Sequence, residues 1–564
     1  MILFKLVVNL LLVLRAPLVL LRRRRALPKS GLVRLQIDGR LVEAALKRPR
    51  FVLPWMARRP VTSLERVREL CRLIAADSRA TGLVVDLARV QAGFAGALEL
   101  RDAFALVTAA GKRVHVHLPK GGGLKEYFVA SVAQSMSMPP HATLFLVGMG
   151  GKGFYLKDAL EKAGVEPEVE QRYEYKSAGE MFGRSEMSGP AREQATIVLG
   201  ALADRVLESA AKGRAEKHAD GAALLHRGPY RAEDAQKLGL IDFVAHDDEL
   251  AEALGKAGIA HTKRPDDTLA AARAPLYLAR KTARVFLPFR RKRRVAVLVL
   301  KGTIVDEGAQ PGQIVTKPVV QACEALAKDP SIGAVVLAID SRGGSASASA
   351  DMHHAIRTLA AKKPVVAYLS DYAASGGYYI ACGADHIVAN PLSVTGSIGV
   401  IAMRPILERL LGKLGVHRDG VKIGDHAGIL DGIARFTEAE KHAMERLIDA
   451  TYAEFAGVVM QSRKLAPEVL DRLARGRVWL GENAAFAPLR DALGGLEAAI
   501  AEAKKRAPVK LADEPLVFEP HRPRPSLQML PFSGAFSGSP WRDLGFPLLG
   551  SPGGAWFYEA FAIE

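Results

Sequence analysis

The chain is 564 residues long, room for three or four domains and far more than one small module needs. Apolar residues make up 49% and charged residues 24%, which excludes a chain disordered throughout. Seventy-eight Lys and Arg against 60 Asp and Glu leave +18 at neutral pH, a surplus that suits nucleic acid or an anionic membrane surface.

The first element is an apolar stretch, Met1 to Leu21, followed directly by Arg22 to Arg25. Its length would span a bilayer, but Lys5, Asn9, Arg15 and Pro17 interrupt it. No small-residue cleavage site follows, so no removable signal peptide is expected. Residues 1–25 read as a membrane anchor or as an amphipathic helix in the interface, with a buried core helix as the alternative. If the stretch spans, the arginines favour a cytoplasmic body. A second basic cluster, Arg290 to Arg294, follows Val285 to Phe289. Nucleic-acid surfaces interleave basic residues with aromatics on a folded face. Here each cluster abuts an apolar run, so the expected partner is a membrane and not nucleic acid.

An internal repeat comes next. GLVVDL at Gly82 and GAVVLA at Gly333 lie 251 residues apart, and the same offset pairs Lys112 with Lys363, Tyr127 with Tyr378, Pro140 with Pro391 and Gly148 with Gly399. The offset holds without a gap from residue 82 to 165, which implies two copies of one domain, residues 30–260 and 294–505. Residues 261–293 form a basic, Ala- and Pro-rich linker. In the second copy Val295–Leu300, Ala334–Ile339 and Val365–Leu369 read as buried strands. Helices are expected over 346–361 and from near Ser375 to Gly383, with a short strand at His386–Val388. This alternation predicts an α/β fold in which each copy is a mainly parallel sheet flanked by helices. Residues 506–564 are a Pro-, Gly- and Phe-rich tail without helical or strand period. Three scattered cysteines, Cys71, Cys323 and Cys382, exclude a disulfide framework or a zinc knuckle.

Two turns at strand ends carry the chemistry. In Asp340-Ser341-Arg342-Gly343-Gly344-Ser345 a pair of glycines frees backbone N–H groups to face a ligand. In Asp371-Tyr372-Ala373-Ala374-Ser375-Gly376-Gly377-Tyr378 a serine stands where strand gives way to helix, near donors suited to a developing oxyanion. A tight turn and an N-cap serine are the structural alternatives. In the first copy Ser375, Gly376 and Gly343 become Leu124, Lys125 and Ala92 while the scaffold positions match. A capping serine would serve both copies equally, so the joint loss points to chemistry kept in the second copy alone.

The strings DYAASGGYYIA (Asp371–Ala381), LSVTGSIGVI (Leu392–Ile401) and SRGGS resemble the long, two-repeat type of signal peptide peptidase A, membrane-associated serine proteases with a Clp/crotonase-like fold. The resemblance covers residues 30–505 and implies two tandem domains of that fold. It implies Ser375 as nucleophile, with Gly376 and the Gly343-Gly344 turn as oxyanion hole, and a lysine as base. A lysine serves only when neutral, so its pKa must fall from about 10.4 to about 7, roughly 4 kcal/mol of desolvation or like-charge cost. Lys176, in Tyr175-Lys176-Ser177-Ala178, matches the two-repeat pattern; Lys422, in Val421-Lys422-Ile423-Gly424-Asp425-His426, sits where single-repeat members carry theirs. Ser397, in Thr395-Gly396-Ser397, is either an orienter of the lysine or a turn serine. The implied substrates are extended apolar peptides such as remnant signal peptides, without metal or other cofactor. The implied setting is a bacterial inner membrane, side open, and a homo-oligomer, a tetramer in the long form. An inactive membrane scaffold and a crotonase-type acyl-thioester enzyme are the competing readings of the same fold.

Overall fold

In a computed structural model, the described residues are 16–21, 31–43, 62–214, 223, 226–258, 271–281, 293–308, 310, 312–512, 515–518 and 520. Most of the N-terminal stretch, the linker and the tail lie outside them, including both arginine-rich clusters except Arg293 and Arg294. Among the described residues no helix is long and apolar enough to cross a membrane. The chain divides into two compact units, one of residues 1–149 and 201–292, the other of 150–200 and 293–564.

The first unit is built on a parallel sheet. Strands β1 (Gly31–Val42), β2 (Ala80–Gln91), β3 (Arg113–His117) and β4 (Ser135–Met138) pair in that order, with short strands 243–244 and 271–273 at the two edges. Helices α1 (Leu64–Ala76), α2 (Phe94–Ala109) and α3 (Leu124–Ala130) form the crossovers that parallel pairing requires.

The second unit contains strand β5 (Glu166–Gln171), from which helix α4 (Gly189–Arg214) leads the chain back to the first unit. Its sheet holds β6 (Arg294–Lys301), β7 (Ile332–Ser341), β8 (Val365–Ala374), β9 (His386–Ala389) and β10 (Val394–Gly396). β6, β7, β8 and β10 are adjacent and parallel, while β9 pairs with the first half of β8. Between them run α5 (Thr316–Lys328), α6 (Ala346–Ala360) and α7 (Gly376–Ala381). Two further strands close the sheet, β12 (Val478–Leu480) beside β10 and β13 (Leu516–Phe518) beside β6, and outside it lie β11 (Ile401–Ile406), α8 (Glu438–Arg463) and α9 (Leu496–Arg506).

The apolar runs are continuous because both sheet faces are covered. On one face Leu298, Leu337, Ile339 and Leu369 pack against Met352, Ile356 and Phe455. On the other Val297, Val336 and Val366 pack against Leu496 and Ile500 of α9. Successive residues of one strand therefore enter different cores, as the period of two requires.

Two features depart from the sequence reading. Residues 150–200 precede the end of the first copy in sequence yet belong to the second compact unit. β5 pairs antiparallel with β11 from Gln171 opposite Ile401 to Glu166 opposite Ile406, and that ladder fastens the segment there. β5 reads EPEVEQ, half-buried throughout, so no apolar alternation announced it. The tail also contributes a strand: Leu516–Phe518 pairs with Ala296–Leu298 at the sheet edge. Three residues are too few to show a period.

Candidate active site

β8 ends at Ala374 and α7 begins at Gly376, leaving Ser375 as the single residue between strand and helix. Its φ of 54° and ψ of −121° lie where a residue with a Cβ is strained. Its side chain makes no capping bond, so the N-cap alternative does not describe it. The backbone holds the serine instead: its N–H donates to Gly396 O (2.8 Å) and its carbonyl accepts from Tyr378 and Tyr379 (3.0 and 2.9 Å). The residue is buried.

The Gly343-Gly344 turn lies against that serine. Both glycines have positive φ, 106° and 153°. A Cβ on Gly343 would stand 2.8 Å from Gly376 N and 2.9 Å from Ser375 Cβ, and one on Gly344 would fall on the carbonyl of Ile304. Only glycine fits. The Gly343 N–H donates to Ser341 Oγ at 3.1 Å, which occupies one of the three donors expected for the oxyanion. The N–H groups of Gly344 and Gly376 donate to no acceptor among the described residues; the latter is a first-turn helix amide with no intrahelical partner.

Lys176 reaches this serine from 199 residues earlier in the chain. Its Nζ lies 2.9 Å from Ser375 Oγ and donates to Ser397 O (2.8 Å) and Ser397 Oγ (3.0 Å). Lys176 is 3% exposed, and burial drives its pKa down to about 7. Ser397 also has positive φ (50°), fixed by its N–H donating to Arg477 O at 2.6 Å. Lys422 lies elsewhere, on an exposed loop where its charge bears on Glu440. Of the candidates, the structure thus joins Ser375, Lys176, Ser397, Gly343, Gly344 and Gly376, and leaves Lys422 in solvent.

Sequence reasoning missed the packing behind the lysine. Gly476 (φ 82°) and Gly399 press on its backbone and its stem: a Cβ on Gly476 would sit 2.7 Å from Lys176 Cα, and one on Gly399 3.1 Å from its Cδ. Gly399 sits in the LSVTGSIGVI string, but nothing in the sequence near residue 476 signals its role. Among the described residues no cluster of His, Cys, Asp and Glu is placed to hold a metal. Burial pushes all three cysteine thiols up to about 12.

The profile of peptidase family S49 matches this chain twice, over residues 108–258 and 357–510, and together these segments cover more than half of it. The chain belongs to peptidase family S49. Among its relatives in this family is the chloroplastic serine protease SPPA of Arabidopsis thaliana, 31% identical over 471 residues, 82% of this chain and 69% of the relative. Protease 4 of Salmonella typhi is 32% identical over 412 residues, 70% of this chain and 65% of the relative. A protein of Enterococcus faecium named a putative signal peptide peptidase SppA is 29% identical over 232 residues, covering 40% of this chain and 66% of that protein. Among solved structures, the 1510-N membrane-bound stomatin-specific protease with a substrate peptide aligns at a TM-score of 0.26 and 19% identity, covering 42% of this chain and 94% of that one. As an S49 member that matches the family profile twice, the protein is a serine peptidase.

Proposed function

We propose that this S49 peptidase works through a Ser–Lys dyad, Ser375 as nucleophile and Lys176 as general base. The observation that carries the proposal is the 2.9 Å approach of a buried amine, its pKa near 7, to the hydroxyl of a strained serine. With its two protons directed to the carbonyl and hydroxyl of Ser397, a neutral amine turns its lone pair to Ser375 Oγ. Nζ takes the hydroxyl proton as Oγ bonds to the scissile carbonyl carbon. The N–H groups of Gly344 and Gly376 hold the resulting oxyanion, one such donor being worth roughly 3–4 kcal/mol. Nζ then returns the proton to the departing amine, and the same lysine activates the water that releases the acyl group. Gly343, its own N–H engaged, shapes the turn instead of donating.

Family likeness supports extended apolar peptides, remnant signal peptides among them, as substrates, and the apolar N-terminus beside basic clusters supports action at a membrane. The same likeness supports a homo-oligomer, a tetramer. Neither the inactive scaffold nor the acyl-thioester enzyme has an observation in its favour. The test is mutational, with an active-serine phosphonate probe and an apolar peptide. Ser375→Ala and Lys176→Ala are each expected to lower peptide hydrolysis by at least about 10³-fold with circular dichroism unchanged, and Lys422→Ala to leave it intact. Cleavage by a folded Ser375→Ala protein would refute the dyad.

A further inference from the structure

Three backbone segments converge behind the Lys176 amine: Tyr175–Lys176, Ser397–Gly399 and Ala474–Arg477. The third touches both of the others. Gly476 N–H donates to Ile398 O (2.8 Å) and Arg477 O accepts from Ser397 N–H (2.6 Å), so this loop braces the residue whose carbonyl and hydroxyl receive Nζ. On its other side the Arg477 guanidinium lies over the Tyr175 ring, 3.7 Å from its centre, a cation–π contact with the residue immediately before the base. Positive φ at Gly476 allows the loop that close an approach, because a Cβ there would collide with the Lys176 main chain. A parallel grip lies one step outward, where Arg475 sits 5.1 Å over the Tyr173 ring and pairs with Asp471 at 2.9 Å.

The loop is held in turn. Val478 N–H donates to Gln194 Oε1 (3.1 Å) and Val478 O accepts from Gln194 Nε2 (2.6 Å), which ties the start of β12 to α4. β12 also pairs with β10, the strand that ends at Gly396 beside Ser397. Arg477 is thus held on both sides, by β12 and by its contacts with Ser397 and Tyr175.

We propose that Arg477 is a positioning residue for catalysis: by clasping Tyr175 with its side chain and Ser397 with its main chain, it fixes the Lys176 amine against the Ser375 hydroxyl. This rests on the Ser–Lys reading above. Arg477 touches neither the hydroxyl nor the amine; it acts through the two residues that bracket the amine. Among the described residues, Glu174, Glu193, Asp471 and Arg475 flank the junction, and the lowered pKa of Lys176 comes from burial. Loosening the clasp lets water reach the amine and moves it from its aim.

The experiment uses the full chain and follows peptide hydrolysis and phosphonate labelling of the serine from pH 5 to 10 in Arg477→Ala, Tyr175→Leu, Tyr175→Phe and Lys176→Ala. Arg477→Ala is expected to slow acylation by about tenfold to a hundredfold at pH 8, since a misplacement on the order of 1 Å costs that much. KM should stay within about twofold and the ascending limb of the pH profile should move to higher pH. Tyr175→Leu should behave alike, while Tyr175→Phe, which keeps the ring face, should match the parent. Parental rate and profile in a folded Arg477→Ala protein would overturn the inference. Should that variant fail to fold, Tyr175→Leu decides by the same criteria. Full activity in Lys176→Ala would instead remove the base assignment itself, so the two failures are told apart.

Discussion

A buried amine is a cost to the fold as well as a tool for the reaction. Water stabilises the charged form of a lysine, and Lys176 has lost it, so its pKa falls to about 7. The sign follows directly. Between pH 7 and about 10.4 the unfolded chain carries a proton here that the native protein does not, so this group makes stability rise with pH across that window. Below pH 7 both forms are protonated and the full penalty of about 4 kcal/mol remains. Replacing Lys176 by Met should thus stabilise the protein most at pH 6 relative to the parent, with the advantage fading by pH 10. Urea unfolding at the two pH values measures it, and parallel curves would disprove it. Catalysis has the same pivot: acylation should rise with pH through about 7, because a protonated Nζ cannot accept the serine proton.

Residue types at the site were legible because they are unusual. Ser375, Gly376 and Gly343, lost together from the first copy, marked the site, and Gly344 was drawn in as the neighbour of Gly343 in the same turn. The three-dimensional use of each donor was not legible. That Gly343 gives its N–H to Ser341 depends on a side-chain rotamer, which no motif encodes.

Among elements, the β5–β11 ladder does the most for the site, since it carries the chain to the turn that presents Lys176. Arg404 of β11 reaches Glu168 of β5 at 2.6 Å and lies over the Phe436 ring, so the pair is fixed by charge as well as by register. Gly179, in the short helical turn following Lys176, lies under both strands: a Cβ would come to 2.5 Å from Ile401 Cδ1 and 2.5 Å from Val169 Cγ1. Gly179→Ala is expected to cost about 1–3 kcal/mol by overpacking and to lower activity together with stability, as thermal unfolding and peptide hydrolysis would record. An unchanged melting temperature would mean that the ladder yields easily. The sheet strands were legible because burial on both faces gives β6, β7 and β8 the unbroken apolar runs Val295–Leu300, Ala334–Ile339 and Val365–Leu369. β5 was not, since a half-buried strand of Glu, Pro and Gln has the composition of a loop.

At the level of the whole molecule, duplication was plain in the sequence as an ungapped offset. The placement of residues 150–200 was not. Copies related by sequence need not be compact units, and here residues 150–200 lie in the unit that holds Ser375. A chain beginning at Arg293 should keep the sheet of β6 to β10 and yet fail to label with the phosphonate, because it has a hydroxyl and no amine beside it. Labelling of such a fragment at the full-length rate would show that a lysine of the second half serves as base.

The spacing of 199 residues between the two reacting side chains also sets a clock. At roughly 5–20 residues per second of translation, about 10–40 s separate the emergence of the lysine from that of the serine. A ribosome-bound polypeptide of this sequence is thus unable to cut anything, itself or its neighbours, until the serine has followed the lysine out of the ribosome.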